Sequence, residues 1–270
     1  MMNKEILNRK GALKITDIPN SIITLLNKGE IASVNLTEWL AVDHTKIVKY
    51  CFPKLGISNK YIAEITEEIK KQKKSSAMNS TKLVGTMLHQ LYQTKTERQI
   101  IFKNLSVHIS DTIRCYAPYL PALNKELSIQ QKLQQLQVLA ADDHFGVREI
   151  TWMALRPEIE KNLETSVQTL CKWAKNKDDN IRRFASEATR PRGVWCKHID
   201  ALKENPGIAL SILEPLKSDS SKYVRDSVGN WLNDAAKSQP DFIKALCKKW
   251  EQESSTAETK YIVNKALRSL

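Results

Sequence analysis

The chain has 270 residues, of which 41% are hydrophobic and 27% charged, a balance typical of a soluble globular protein. Only 8 Gly and 9 Pro residues occur, too few for the tight turns of an all-β fold, so we expect long helices joined by short loops. Lys and Arg number 42 against 30 Asp and Glu, and the net charge of +12 favours a polyanionic partner such as nucleic acid. A basic surface that only faces solvent is the alternative.

The spacing of Cys and His residues bears on metal content and cellular location. The five Cys residues form no C-x-x-C pair, and the five His residues form no H-x-x-x-H cluster. This pattern predicts reduced thiols in a cytoplasm and no metal site. The first 26 residues are interrupted by charges and a proline, unlike a signal peptide. No run approaches the roughly 18 apolar residues of a membrane span, so we expect a cytoplasmic protein without a membrane segment.

The region before residue 110 predicts an N-terminal helical cap. Helical patterns occur in TEWLAVDHTKIVKYCF (37–52), NKYIAEITEEIKKQKK (59–74), NSTKLVGTMLHQLY (79–92) and TERQIIFKNLSVH (96–108). The polar run KKQKKSSAMNS (70–80) predicts a loop or linker. We therefore expect one all-α domain over 1–270, with an N-terminal helical region at 1–75 and a repeat region at 80–270.

A repeated pattern organises the chain from residue 111 onward. The segments 111–123, 145–159, 179–193 and 222–236 each carry a β-branched residue followed by Arg, with successive spacings of 34, 34 and 43 residues: Ile113-Arg114, Val147-Arg148, Ile181-Arg182 and Val224-Arg225. Nearby acids predict helix N-caps: Asp111, Asp143, Asp179 and Asp219. Further helical patterns lie between and after these segments, at 127–141, 164–175, 207–217, 240–252 and 258–270. The alternation predicts an α-solenoid of HEAT-like helical-pair repeats.

The repeated helices would present a charged face. When each β-branched residue is counted as zero, offsets +2, +6, +9 and +10 share one helix face. Three carboxylates occupy this face among several Arg residues: Glu149, Glu187 and Asp234. Because the inner helices of a solenoid line one surface, these acids are candidates for a shared site. The alternative is that they form weak surface ion pairs with the neighbouring Arg residues.

Aromatic and proline residues near this face also allow two interpretations. Trp152, Trp195 and Trp231 occur at helical spacing, which is more often a sign of core packing than of a binding surface. Pro157 and Pro191 each follow an Arg, and we expect them to end their helices.

Three long strings resemble AlkC-type DNA alkylation repair proteins. They are ADDHFGVREITWMALRP, IRRFASEATRPRGVWCKHI and SKYVRDSVGNWLNDAAKSQP, and the resemblance is strong over about 105–270. It implies a HEAT-like-repeat DNA glycosylase that removes N3-methylated bases, chiefly 3-methyladenine and, in AlkC-like members, 3-methylcytosine. It also implies that no metal and no cofactor take part. Some AlkC-like proteins carry a C-terminal immunoglobulin-like domain, which we do not expect here.

The resemblance also assigns roles to individual residues. The family's active-site carboxylates fall on Glu149, Glu187 and Asp234, and its active-site aromatic falls on Trp195. The candidates for DNA contact are Arg148, Trp152, Arg183 and Arg190. The implied partner is alkylated double-stranded DNA, bound by a monomer without a membrane or an obligatory protein partner. A non-enzymatic protein that binds branched or damaged DNA and a protein-binding HEAT scaffold are the alternatives.

Overall fold

The computed structural model describes residues 4–73 and 76–270. Within these ranges the secondary structure is entirely helical, with no strand, and the all-α prediction is confirmed. The α-helices are α1 (Lys4–Leu7), α2 (Asn20–Asn27), α3 (Leu36–Ala41), α4 (His44–Cys51), α5 (Asn59–Lys70), α6 (Ala77–Leu91), α7 (Lys95–Ser106), α8 (Asp111–Arg114), α9 (Tyr119–Leu123), α10 (Ile129–Ala140), α11 (Phe145–Lys161), α12 (Leu163–Trp173), α13 (Asp179–Glu187), α14 (Asp200–Glu204), α15 (Leu210–Leu213), α16 (Lys222–Ala236), α17 (Pro240–Glu253) and α18 (Ala257–Leu267). Short 3-10 helices occupy Ile15–Asp17, Pro53–Leu55, Pro206–Ala209 and Glu214–Leu216.

The chain forms two compact units. The first comprises Met1–Glu126 and His144–Thr151, and the second comprises Leu127–Asp143 and Trp152–Leu270. In the first unit, α4 packs on α5, and α6 packs on α9. Gly85 permits the second of these contacts, because a Cβ there would lie 2.3 Å from the Tyr119 ring. The prediction that residues 1–270 form one domain with the repeats beginning at residue 80 stays a prediction.

The second unit contains the helices that position the candidate site. Helix α13 packs on α16, which in turn packs on α17 and α18. The β-branched residues of their repeats, Ile181 and Val224, are buried near the starts of α13 and α16. In the first unit, Ile113 and Val147 are buried near the starts of α8 and α11. All four β-branched residues of the repeat are therefore buried near the start of a helix.

The Arg that follows each β-branched residue has a structural role that the sequence did not indicate. In three repeats its Nη1 donates to the carbonyls six and five residues earlier, at the turn before the helix. Arg114 reaches His108 O (2.7 Å) and Ile109 O (3.0 Å). Arg182 reaches Asn176 O and Lys177 O (both 2.9 Å), and Arg225 reaches Asp219 O (2.9 Å) and Ser220 O (2.7 Å). The recurring Arg thus satisfies turn carbonyls that would otherwise lack a donor.

The predicted N-caps are wrong in three repeats. The residues at the N-cap positions of α8, α13 and α16 are Ser110, Asp178 and Ser221. The neighbouring acids instead join distant segments. Asp111 accepts from Ser33 N at 2.8 Å, Asp179 accepts from Ser221 Oγ at 2.6 Å, and Asp219 pairs with Arg182. In these repeats, the acid beside the helix start therefore makes a tertiary contact and does not cap the helix.

Proline residues account for most departures from the predicted helices. The segment 111–123 is broken into α8 and α9, with Pro118 at the N-cap of α9, and 207–217 is divided among two 3-10 helices and the short α15. Proline disfavours helical backbone in the residue before it, which explains both breaks. Pro191 follows the end of α13 as expected, but Pro157 lies inside α11, so the prediction for Pro157 is wrong. The buried Leu155 and Ile159 on either side keep the apolar face of α11 continuous through it.

Candidate functional site

A buried cluster centred on Arg190 joins two of the three predicted carboxylates. Its Nη1 donates to Glu187 Oε1 at 2.8 Å, Nε donates to Asp234 Oδ2 at 2.9 Å, and Nη2 lies 2.8 Å from the same oxygen. Glu187 is the last residue of α13, and Asp234 lies near the end of α16. Packing of these two helices brings their acids to the same guanidinium, and all three residues are buried.

Glu187 has a partner on both carboxylate oxygens. Besides the bond from Arg190, Oε2 accepts from Ser227 Oγ at 2.6 Å and lies 3.6 Å from Arg183 Nη2. Ser227 accepts in turn from Ser186 Oγ at 2.8 Å. Burial acts to raise the pKa of Glu187, but the two arginines and the Ser227 hydroxyl outweigh it, so this pKa lies below its usual range. Glu187 is therefore held as a carboxylate.

Asp234, in contrast, has a hydrogen-bond partner on only one of its carboxylate oxygens. Arg190 contacts only Oδ2, whereas Oδ1 lies 3.9 Å from Lys237 Nζ, too far for a hydrogen bond. Burial raises the pKa of Asp234 above its usual range, and Glu187 adds to the effect, although Arg190 and Lys237 oppose it. The environment thus shifts the pKa values of the two acids in opposite directions, a pattern that in enzymes accompanies different roles for paired carboxylates.

Trp195 lies in the loop that follows this cluster and is 73% exposed, in contrast to the buried Trp231. Its backbone has φ 58°, in the left-handed region that non-glycine residues seldom adopt. Neighbouring Val194 is also exposed. The loop thus exposes a large apolar side chain on a backbone conformation that the surrounding structure must maintain.

Offset +9 of the repeat holds Ala122, Arg156, Arg190 and Asn233, and two of these side chains donate to backbone carbonyls of another helix or loop. Arg156 donates from Nη1 to Ala188 O (3.0 Å), from Nη2 to Arg190 O and from Nε to Lys197 O (2.9 Å). Asn233 at the same offset donates from Nδ2 to Ala266 O at 3.0 Å.

Arg190, at the same offset, makes different contacts. Its guanidinium binds carboxylates, and Arg192 Nε takes the Asp234 carbonyl instead at 3.2 Å. The departure marks Arg190 as a residue whose contacts go beyond helix capping.

The remaining predicted residues fall in different surroundings. Arg183 belongs to the cluster through Glu187 and also lies over the Tyr223 ring, with its Cζ 4.3 Å from the centroid. Trp152 is only 2% exposed and lies in the core, the alternative that the sequence had left open. Arg148 and Glu149 are half-buried in the first unit, and their roles in the site stay predictions.

Sequence reasoning missed Ser227 and Arg156 as parts of this site. Ser227 lies 40 residues from Glu187, and nothing local to it indicates the bond. The repeat offset could have singled out Arg156, because the same position holds Arg190 one repeat later.

A Ser–His–Asp trio in the first unit is not arranged for nucleophilic catalysis. Ser33 Oγ donates to Asp111 Oδ2 at 2.7 Å, whereas a nucleophilic serine would give its proton to the histidine. His144 Nδ1 accepts from Gly146 N at 3.1 Å, which leaves Nε2 as the donor to Ser33 O at 2.9 Å. The trio therefore fastens the start of α11 to the segment around residue 33.

Within residues 4–73 and 76–270, no group of three or more His, Cys, Asp or Glu side chains is arranged to hold a metal ion. All five Cys residues are free thiols. Across residues 4–73 and 76–270, every helix is too short or too polar to cross a membrane.

Comparisons with known proteins identify one sequence relative and several solved structures with a similar fold. No protein-family model matches the chain. The uncharacterized protein YhaZ of Bacillus subtilis (strain 168) is 39% identical over 117 residues, a match that covers 43% of this chain and 32% of YhaZ. The chain thus spans about a third of that relative's length.

Solved structures align over more of the chain. The alkylpurine DNA glycosylase AlkC of Pseudomonas fluorescens, bound to DNA containing an abasic site analog, aligns with TM-score 0.68 and 21% identity, over 84% of this chain and 61% of AlkC. AlkD2 of Streptococcus mutans aligns with TM-score 0.60 and 23% identity, over 77% of this chain and 96% of AlkD2. The chain has the HEAT-like helical-repeat fold of the AlkC- and AlkD-type alkylpurine DNA glycosylases.

Proposed function

We propose that this chain is a monofunctional DNA glycosylase that excises N3-methylated bases, 3-methyladenine and also 3-methylcytosine, in base-excision repair of alkylated DNA. The observation that carries the proposal is the Arg190 cluster. Two buried carboxylates, Glu187 and Asp234, share one guanidinium whose loop also presents the exposed Trp195. The structural likeness to a DNA-bound alkylpurine glycosylase supports the same function.

The chemistry of the substrate suits a site with fixed carboxylates. A base methylated at N3 is cationic and already a good leaving group, so the enzyme must mainly stabilise positive charge that develops on the sugar. A carboxylate near C1′ stabilises that charge and can orient or deprotonate the attacking water. Asp234 Oδ1, which accepts no hydrogen bond from the described part of the chain, is the oxygen best suited to this task.

The other residues would bind and orient DNA. Trp195 can stack on the cationic base or the exposed sugar, because an aromatic face attracts a cation. Arg183 and Arg148 can neutralise phosphates and set the register without reading sequence. Glu149 is proposed as a third acid that orients rather than stabilises. We infer a monomer that acts on double-stranded DNA in the bacterial cytoplasm and needs neither metal nor cofactor.

A non-enzymatic DNA-binding protein on the same fold is the second candidate. One observation favours it: Glu187 is fully engaged by arginines and a serine, as a purely structural ion pair would be. Such a protein would bind branched or damaged DNA without releasing a base.

The deciding experiment is release of free base from duplex DNA treated with a methylating agent, with the released bases identified by mass. The proposal expects 3-methyladenine, at a rate lowered by substitution of Asp234. Tight binding to branched DNA without release of any base would favour the second candidate.

A further inference from the structure

We propose that Arg156 is a positioning residue that fixes the loop 188–197, so that Trp195 meets the DNA in one orientation. This inference rests on the proposed function, because it takes Trp195 as the side chain that contacts the damaged nucleotide.

The guanidinium of Arg156 fastens both ends of the loop at once. Its Nη1 and Nη2 donate to Ala188 O and Arg190 O on the leading side, and Nε donates to Lys197 O on the returning side, at 2.9 Å. Arg156 is itself only 2% exposed, so these bonds are shielded from competing water. The rigid planar fork of arginine suits such multiple donation, whereas the single ammonium of lysine does not.

The loop depends on this support because its outermost residues pack little. Trp195 has a left-handed φ of 58° and is 73% exposed, and Val194 is also exposed. The loop backbone is held by the Arg156 guanidinium, by Ile199 N, which donates to Pro191 O at 3.0 Å, and by Arg192, which donates to Asp234 O and Ser238 Oγ. A Cβ at Gly193 would lie 3.1 Å from Arg156 Cζ and 2.3 Å from Cys196 Sγ.

The energetic cost of Arg156 argues for more than helix capping. Within the described residues no carboxylate lies within 4.0 Å of its guanidinium, and burial lowers the pKa of Arg156. A buried cation without an ion-pair partner is costly. At the same offset in the last repeat, neutral Asn233 serves as a cap by donating to Ala266 O alone. Arg156 differs in reaching Lys197, on the far side of the Trp195 loop.

The decisive variants are Arg156→Lys and Arg156→Gln, with Arg225→Lys as a matched control. Arg225 also donates to two turn carbonyls, Asp219 O and Ser220 O, but supports a turn without an exposed aromatic residue. The Arg156 variants should lower kcat for 3-methyladenine by about 10- to 100-fold with little change in KM, because misplacement of a positioning group by about 1 Å costs on that order. The Arg225→Lys variant should keep its kcat.

A double-mutant cycle separates positioning from general damage to the fold. If Arg156 acts through Trp195, Arg156→Lys should add no more than about 2-fold to the loss already caused by Trp195→Ala. An equal loss in both backgrounds would overturn the proposal.

Limited trypsin digestion gives a readout independent of activity. Cleavage after Arg192 and Lys197 should be faster in both Arg156 variants than in wild type and should not change in Arg225→Lys. Unchanged cleavage in both Arg156 variants would overturn the positioning role. If the wild type releases no base, the proposed function fails, and the digestion alone still decides whether Arg156 fixes the loop.

Discussion

Replacing each carboxylate of the Arg190 cluster by its amide should abolish most activity but change stability unequally. Glu187→Gln and Asp234→Asn keep the side-chain shapes and remove one charge each. We expect either change to slow 3-methyladenine excision by about 100- to 1000-fold, the usual effect of losing one preorganised electrostatic group. Binding of DNA should persist or tighten slightly, because a negative charge near the phosphates has been removed.

The stability difference follows from the contacts of the two acids. Glu187 accepts charge-assisted bonds from Arg190 at 2.8 Å and from Ser227 at 2.6 Å, and their weakening makes Glu187→Gln the costly change. Hydrogen bonds to charged groups contribute about 1.5–3 kcal/mol each and part of each survives with an amide, so we expect a loss of about 2–4 kcal/mol. Burial already disfavours the charge of Asp234, so Asp234→Asn should change the free energy of unfolding by about 1 kcal/mol or less.

The pH dependence gives the same test a second signature. Because the folded-state pKa of Glu187 is lowered, its stabilisation is present above the unfolded pKa of about 4.3 and is lost as pH falls through the folded value. The stability gap between wild type and Glu187→Gln should therefore be full near pH 7 and close in acid. Urea unfolding at several pH values measures this gap, and single-turnover excision measures the activity.

Asp219→Asn provides the matched control for these variants. The Asp219 side chain is only 6% exposed and accepts two bonds from Arg182, at 2.6 and 2.9 Å, outside the cluster. We expect this variant to lose stability comparable to that of Glu187→Gln while retaining excision. Near-normal excision by both cluster variants, or an equal loss in the control, would refute the active-site assignment.

Three further outcomes are expected. Ser227→Ala should slow excision less than Glu187→Gln, by about 10-fold or less, because one neutral donor is lost from a carboxylate that keeps its arginines; single-turnover rates give the comparison. Trp195→Ala should lower excision with little change in the unfolding midpoint, since this side chain is exposed, and urea unfolding checks the second part. Affinity for duplex DNA should fall steeply as salt rises, through release of counterions from phosphates, and binding titrations at about 50 and 200 mM salt would contradict DNA binding if they gave equal affinities.

The sequence predicted the helices of the second unit well because helical periodicity is a local signal. Burial of Ile181 and Val224 near helix starts follows directly from the repeat. The failures arose where a distant partner decided the outcome. Asp179 resembles an N-cap, but the Ser221 hydroxyl, 42 residues away, takes its carboxylate. Pro157 has the sequence signature of a helix end, but α11 continues through it, and its neighbours Leu155 and Ile159 are buried.

The candidate site was predictable in part for the same reason. The repeat offsets predicted that Glu187 and Asp234 lie on one surface, and in the structure both acids contact Arg190. The number of hydrogen-bonded oxygens on each acid was not predictable. It depends on Ser227, which binds Glu187, and on Arg190, which contacts only Oδ2 of Asp234. Residue type and spacing indicate which groups meet, whereas the order of their hydrogen bonds is a property of the packed helices.

The repeat itself provides a way to separate structural arginines from functional ones. Arginines that fill the same repeat position with the same carbonyl contacts, such as Arg182 and Arg225, satisfy the backbone of the turn before their helix. Arg190 occupies a position where Arg156 and Asn233 donate to carbonyls, yet its guanidinium is directed to two acids, and Arg192 takes over one carbonyl contact. Arg190 thus differs from the two other polar residues at its repeat position, and its contacts with both Glu187 and Asp234 make it a candidate member of a functional site.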